Sequence, residues 1–263
     1  MEVVAKFSEA HFGVLGLFET KLRGSGREVW ENIDVIKSGV GDEGRAREGV
    51  AMMLSEEWNG CLVGEGYVSS RVMWAKFKKE RVKVAVIVAY APCTAEGSEL
   101  FWREVGEVYD GIGEGYKKFV IGDLNGWVGN KEIDSIVGRY GTPGVNANGK
   151  SIVEFCAGRE LCVANTFYKH KLKDRYTRYG ENTRNMIDFV LVKKAMLESI
   201  HDVKCLKVLS GGVSDHVIVL CKVKLEFEWG RKIWNAVIRT MTRVEKLKDA
   251  EFAGRYREKV KDT

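Results

Sequence analysis

The chain has 263 residues, 45% hydrophobic and 30% charged with 2 prolines, which is enough apolar material for one large core and excludes a disordered or collagen-like chain. Its net charge of +5 is compatible with nucleic acid but does not by itself establish that partner. No apolar run approaches the roughly 18 residues that span a bilayer, and the start lacks a basic region followed by an apolar one, so no membrane partner is expected and the predicted location is intracellular, nuclear or cytoplasmic, not secreted.

In chain order, Val3, Val4, Phe7 and His11 stand at helical spacing and predict a helix over 1–11, followed by a buried strand over 12–18 that ends at Glu19. Short runs rich in Val and Ile predict further strands at 49–54, 72–78, 82–90, 118–124, 161–165, 186–192 and 216–223. Apolar stripes predict helices at 98–112 and 149–159, with a third at 194–199. The Asn-Gly pairs at Asn59, Asn125 and Asn148 predict turns, and the glycine-rich stretch 138–149 predicts a loop. After Leu225 the texture changes: residues 226–263 carry ten Lys/Arg against seven Asp/Glu, which predicts a charged, helical linker or docking segment beyond a main domain of residues 1–225. Many short strands with few helices between them predict an α+β chain, a four-layer α/β sandwich of two stacked mixed sheets flanked by helices, rather than a repeating βαβ fold. The six cysteines form no C-x-x-C pair and mostly lie in apolar runs such as Ile218-Val-Leu-Cys221, as buried thiols in a reducing compartment would.

The informative pattern is where the carboxylates fall. Glu19 ends one apolar strand, Asp123 ends another, Asp188 interrupts Met186-Ile-Asp-Phe-Val-Leu-Val192, and Asp215 precedes His216 and a further strand. Burying an unpaired carboxylate is costly, so acids at the ends of core strands imply a metal, a basic partner or a catalytic role. Taken singly, each has an ordinary reading as a cap, a turn former or a salt-bridge partner; four together point to one convergent site. Hard oxygen donors suit Mg²⁺ or Mn²⁺, whereas 4 histidines and unpaired cysteines argue against a structural zinc.

Seven ordered elements then carry a family resemblance: Leu15-Gly-Leu-Phe-Glu19-Thr20, Val88-Ala-Tyr90-Ala-Pro92, Ile121-Gly-Asp123-Leu-Asn125-Gly126, Asn146-Ala-Asn148-Gly149, Asn165-Thr166, Ile187-Asp188-Phe-Val-Leu-Val192 and Val213-Ser-Asp215-His216. Their order and spacing resemble the endonuclease/exonuclease/phosphatase superfamily, specifically the apurinic-like endonuclease domains of LINE-type (non-LTR) retrotransposons and craniofacial development protein 2-like proteins. The resemblance implies a Mg²⁺- or Mn²⁺-dependent phosphodiester hydrolase that nicks DNA. It makes Glu19 the main metal-binding carboxylate with Asp215 a second contributor, Asp123 the group that orients or deprotonates the attacking water, and Asn125 a holder of water or phosphate. It has His216, oriented by Asp188, contact a phosphate oxygen, and Tyr90 supply a hydroxyl to developing charge. The family's opening strand with its Trp-Asn motif has no counterpart before the first helix, so the strand over 12–18 is expected to lose a neighbour. Arg178 stands where the family has Trp, and Arg243-Val-Glu-Lys-Leu-Lys-Asp-Ala-Glu-Phe252 resembles a connector to a reverse transcriptase domain in a longer parent.

The stretch Tyr168 to Tyr179 interleaves cations with aromatics, so Lys169, Lys171, Arg175 and Arg178 are candidate nucleic-acid contacts, with a solvated hairpin as the plain reading. Trp127 is expected to pack locally beside its turn, and His11, His170 and His201 to have ordinary surface or helix-end roles. Two other functions fit the sequence: a nucleic-acid-binding remnant without catalysis, and a phosphatase or phosphodiesterase acting on a small molecule or lipid.

Overall fold

A computed structural model describes residues 7, 12–43, 47–94, 96–206, 215–227 and 230–240, with side chains as far as residue 225. The helix expected over 1–11 lies outside the described residues apart from Phe7, which is helical and buried.

The first sheet contains β1 (Val14–Phe18), β2 (Ser25–Trp30), β3 (Ile33–Ser38), β4 (Val50–Leu54), β13 (Ile200–Leu206), β14 (Ile218–Phe227) and β15 (Gly230–Thr240), in the order β13-β14-β15-β1-β4-β3-β2. The second contains β5 (Leu62–Tyr67), β6 (Val72–Lys79), β7 (Val82–Tyr90), β8 (Lys117–Asp123), β9 (Leu161–Val163) and β12 (Asp188–Lys193), in the order β5-β6-β7-β8-β12-β9. A short hairpin joins β10 (Arg178–Tyr179) to β11 (Arg184–Asn185). The helices are α1 (Glu56–Asn59), α2 (Ser98–Gly111) and α3 (Ala147–Ala157).

The period-2 geometry of a strand explains the layering. Val84, Val86 and Val88 of β7, Phe119 and Ile121 of β8, and Val190 and Val192 of β12 belong to one buried cluster with Val14 and Phe18 of β1, Met52 of β4 and Cys221 of β14. That cluster is the core between the sheets. The alternate residues Ala85, Ile87, Ala89, Val120 and Leu191 pack instead with Phe101 and Val105 of α2 and Ile152 and Phe155 of α3. Leu15, Leu17, Met53 and Leu220 form a third cluster on the other face of the first sheet. Each such side chain contributes roughly 1.5–3 kcal/mol by leaving water, and the apolar runs buried on both faces are the ones legible as strands in the sequence.

Several expectations are corrected. Of the segment 226–263, expected to be helical, residues 228–229 and 241–263 lie outside the described residues and the rest is strand: it completes β14 and forms β15, which pairs antiparallel with β14 and parallel with β1 over Val14↔Ala236 to Phe18↔Thr240. It needs no core of its own, because Ile233, Trp234, Val237 and Ile238 are strand formers added to an existing sheet. β1 is therefore paired on both sides and has no open edge. Asn148-Gly149 is no turn but the first turn of α3, whose N-cap is Asn146, its Oδ1 accepting from the Gly149 N–H at 2.8 Å. Residues 194–199 form a 3₁₀ rather than an α-helix, as does Ala164–Phe167 at the end of the strand predicted over 161–165. Strands β2, β3, β5, β10, β11 and β13 have no counterpart among the apolar runs of the sequence. No helix among the described residues is long and apolar enough to cross a membrane.

Candidate active site

Strand register builds the site. Tyr90 of β7 pairs with Asp123 of β8, and Asp123 pairs with Asp188 of β12, so the three lie on one line across adjacent strands. Each continues an apolar row that faces the inter-sheet core: Val84-Val86-Val88, Phe119-Ile121 and Val192-Val190. The core thus ends in a polar row, with Asp123 1% and Asp188 0% exposed. Gly122 is required there by close approach, since a Cβ would lie 2.0 Å from the Ala89 carbonyl oxygen.

His216, just before β14, closes the row from the first sheet. Its backbone bridges to Arg178 of β10, and its Nδ1 lies 2.9 Å from one Asp188 carboxylate oxygen and 3.2 Å from the other. Its Nε2 faces Asp123 Oδ2 and Asp215 Oδ1, each at 4.0 Å. Burial of this imidazole, 4% exposed, pulls it toward the neutral form, but the Asp188 charge and hydrogen bond outweigh that and, with Asp123 and Asp215, raise its pKa to about 9. Burial, then the neighbouring Asp188, push the Asp123 carboxyl well above the usual range, against the opposing pull of His216 and of the Asn125 N–H.

Asp188 is fixed through its main chain. The Thr177 hydroxyl oxygen accepts from the Ile187 and Asp188 N–H groups at 3.0 and 3.1 Å, and the Asn165 amide donates to the Asp188 carbonyl and accepts from the Val190 N–H. Asn165 and Thr177 had no assigned role in the sequence; their signal was polar residues that turn out to be buried.

Glu19 follows β1 in a left-handed conformation, φ 49°, and its Oε1 accepts from the Tyr90 hydroxyl at 2.6 Å. The hydroxyl expected to serve developing charge therefore orients this carboxylate. Burial, then the Glu19 hydrogen bond, raise the Tyr90 phenol far above its ordinary pKa, so it remains a donor. Arg71 holds Tyr90 from the other side: Nη1 donates to the Tyr90 carbonyl at 3.2 Å, Nη2 to Glu48 Oε1 at 2.6 Å, and the guanidinium lies 5.0 Å from the ring centroid.

Asp215 lies beside the row but is engaged by Arg178, whose Nε donates to its Oδ2 at 2.7 Å. Burial would raise the Asp215 pKa, yet this hydrogen bond, with the charges of His216 and Arg178, keeps it below the ordinary value. Arg178 is thus an internal cation of the site, also within the fields of Asp123 and Glu19. Asn125, at φ 47°, turns the chain after Asp123; its N–H donates to Asp123 Oδ1 at 3.1 Å and its side-chain amide to the Ala91 carbonyl at 2.9 Å.

These residues suit a divalent cation. Glu19, Asp123, Asp188 and Asp215 face the cationic side chains of His216 and Arg178, and the upward shift of Asp123 reflects burial first and the neighbouring Asp188 charge second. Asp123, Asp188 and His216 offer ligand atoms within 4.8 Å of one another. Chemistry favours a different division, because Asp188 holds the His216 Nδ1 as a hydrogen-bonded pair and His216 is biased toward imidazolium, which cannot ligate. The oxygen donor left beside the row is Glu19, steadied by Tyr90, while Asp215 is shared with Arg178.

The basic loop divides. Lys169 and Lys171 are exposed, next to a 3₁₀ turn at Leu172–Asp174. Arg175 instead pins the loop: Nε donates to the His170 carbonyl and Nη1 to the Gly141 carbonyl, with the guanidinium 5.2 Å from the Tyr140 centroid. His170 pairs with Asp202 at 2.9 Å, and His201 is exposed. Trp127 is not packed away as expected but ranks among the exposed large hydrophobics. Of the cysteines, none of which forms a disulfide, Cys156, Cys162 and Cys221 are buried and Cys93 is exposed.

Comparison with known proteins places this geometry in context. No family model matches the sequence. Craniofacial development protein 2 of Bos taurus is 26% identical over 231 residues, 86% of this chain and 38% of the relative; that of Tragulus javanicus is 25% identical, covering 40% of its length. The chain therefore spans about two fifths of these curated relatives. Among solved structures, the endonuclease domain of TRAS1, a telomere-specific non-LTR retrotransposon, superposes with a TM-score of 0.60 at 13% identity, over 86% of this chain and 92% of that one. The 3′-5′ exonuclease NExo from Neisseria meningitidis gives 0.63 at 17%, covering 84% and 93%, and an AP endonuclease from Archaeoglobus fulgidus gives 0.62 at 15%, covering 85% and 93%. The fold is that of the endonuclease/exonuclease/phosphatase proteins.

Proposed function

We propose that the chain is a divalent-metal-dependent phosphodiester hydrolase that nicks DNA, of retrotransposon origin. The observation that carries this is the row Tyr90-Asp123-Asp188 at the end of the inter-sheet core, closed by His216 and flanked by Glu19. Phosphoryl transfer is achieved largely by positioning and by stabilising charge on oxygen, and this row supplies both.

A Mg²⁺ or Mn²⁺ ion at Glu19 would polarise the scissile phosphate and stabilise the leaving oxygen. Asp123, held above the usual carboxylate range by burial and by Asp188, orients a water and takes its proton more readily than an exposed aspartate. His216, kept cationic by Asp188, directs positive charge at a phosphate oxygen. Tyr90 holds the Glu19 carboxylate in place, and Asn125, left-handed between Asp123 and the next loop, positions water or phosphate. Lys169, Lys171 and Arg178 supply cations to the strand backbone, Arg178 through the nitrogens that remain beside its Asp215 bond, while Arg175 acts by shaping the loop.

DNA as the substrate is supported by the likeness to nuclease folds that include the TRAS1 endonuclease domain, and by net positive charge. Continuation into a reverse transcriptase domain is the part of the proposal that rests on the connector-like segment 243–252 alone. The test is incubation of the purified chain with supercoiled plasmid and Mg²⁺ or Mn²⁺, beside EDTA and an Asp123→Ala variant. Open circles that both controls abolish are the expected result; a folded chain that leaves the plasmid supercoiled would reject catalysis and favour the binding remnant.

A further inference from the structure

We infer that Trp127 is a nucleobase-stacking platform mounted at the rim of the catalytic row, taking an unstacked base within about two nucleotide steps of the scissile phosphate. This deepens the nucleic-acid reading above and rests on it.

The mount is rigid. The Trp127 N–H donates to Asn146 Oδ1 at 2.8 Å, and its carbonyl accepts from the Asn146 N–H at 3.3 Å. The start of α3 presses on the same peptide so closely that a Cβ at Gly149 would lie 1.8 Å from the Trp127 carbonyl oxygen. The next residue, Val128, is buried in the outer core and bridges to Val145. This assembly is also tied to the site, because the side-chain amides of Asn146 and Asn148 both donate to the Asn125 carbonyl at 3.2 Å, and Asn148 donates to the Pro92 carbonyl at 2.9 Å. Both loops that follow the Tyr90-Asp123 pair are thereby locked to the Trp127 backbone.

The ring is not held in the same way. Trp127 is 38% exposed and Val145, in the facing segment, 54% exposed. Across from the ring stands Gly144 in a left-handed conformation, φ 95°, where a Cβ would lie 3.4 Å from Trp127 Cε3. Single exposed apolar residues are ordinary. An indole on a backbone fixed from two directions, two residues beyond Asn125, is a preorganised π-face. Two residues of chain reach at most roughly 7 Å, about two nucleotide steps of a strand whose phosphate lies on Asp123 and His216. Aromatic stacking is sequence-tolerant because every base has a π-face, so this contact would set strand position rather than target sequence.

The test uses the full chain in EDTA, so that no cleavage occurs, with a single-stranded oligonucleotide carrying 2-aminopurine and read by anisotropy and by quenching of the fluorescent base. Parent and Trp127→Phe are expected to bind within about threefold of each other and to quench. Trp127→Leu is expected to bind about tenfold more weakly, without quenching and with an unchanged salt slope, because no phosphate contact is lost. Equal affinity and quenching for parent and Trp127→Leu would overturn the platform while leaving the nuclease reading intact. No oligonucleotide binding by the parent would also overturn the platform, whereas the nuclease reading falls only if the plasmid stays supercoiled with metal present. Should Trp127→Leu fail to fold, Trp127→Gln takes its place with the same expected loss of affinity and quenching, and binding and quenching equal to the parent's would overturn the platform.

Discussion

Asp188→Asn isolates the electrostatics of the row with almost no change of shape. In the parent, His216 is buried and bonded through Nδ1 to Asp188 at 2.9 Å, and its pKa stands at about 9 against an ordinary 6.5. A raised folded-state value means the imidazolium stabilises the fold fully below pH 6.5, and this contribution is lost as pH rises through about 9. The difference corresponds to an order of 3 kcal/mol at low pH. Asparagine can still accept from Nδ1 but carries no charge, so the His216 pKa falls, opposed against burial only by the more distant Asp123 and Asp215 charges. The assay is an NMR titration of the imidazole Cε1 protons in EDTA, tractable because the chain has only 4 histidines, with urea melts at pH 6 and pH 9.5. The parent should lose stability between those pH values by more than the variant does. A His216 that still titrates near 9 in Asp188→Asn would refute the assignment of Asp188 as its partner.

The remaining predictions concern the groups around this pair. Tyr90→Phe removes the hydroxyl that donates to Glu19 at 2.6 Å, a charge-assisted bond worth roughly 1.5–3 kcal/mol; nicking should slow about tenfold or more and need more Mg²⁺, and an unchanged Mg²⁺ dependence would remove Tyr90 from the metal side of the site. Thr177→Val, nearly isosteric, strips the acceptor from two buried N–H groups and should destabilise the chain by about 2–4 kcal/mol in urea; a loss under about 0.5 kcal/mol would mean those groups find other partners. Arg178→Gln should let the Asp215 pKa rise, since the guanidinium is what holds it low. Because a depressed carboxylate contributes stability that is lost as pH falls through its folded value, the variant should show a weaker acid-induced loss, read with the Asp215 carboxyl titration by ¹³C NMR. An Asp215 that titrates as in the parent would show that His216, not Arg178, sets its charge.

The core strands were legible because they are buried on both faces. Residues 82–90 form the strand Val82–Tyr90 as predicted, and the acids at the ends of such runs are ones that the register sets side by side. What stayed hidden has physical reasons. Strand β2, Ser-Gly-Arg-Glu-Val-Trp, is mostly exposed, and β5 carries two glycines within six residues, so neither shows an apolar run. β15 was masked by the dense charge that follows it, and its stability comes from the neighbours β1 and β14 rather than from its own pattern. Asn148-Gly149 has the dipeptide of a turn, but Asn146 two residues earlier caps a helix through it. The Arg178–Asp215 bond joins residues 37 apart in sequence, and no local pattern predicts such a pair. Family resemblance named most site residues, whereas the roles of Arg71, Asn165 and Thr177 required the register.

That register ties the candidate site to packing. Asp123 is unfavourable in place, as its upward shift records, and nothing local would choose to bury it beside Asp188. They are held there by the valines, isoleucine and phenylalanine behind them, because a slip of one residue in β8 or β12 would turn Ile121 and Val190 out of the inter-sheet core together with the acids. Each apolar side chain so displaced would forfeit roughly 1.5–3 kcal/mol, so the several residues of each row outweigh the cost of one buried carboxylate. Gly122 bears the same constraint on the opposite face, where β7 approaches too closely for any side chain. The apolar rows therefore align the acids, and Asp188, His216 and the Asn125 N–H then bear on the charge of Asp123.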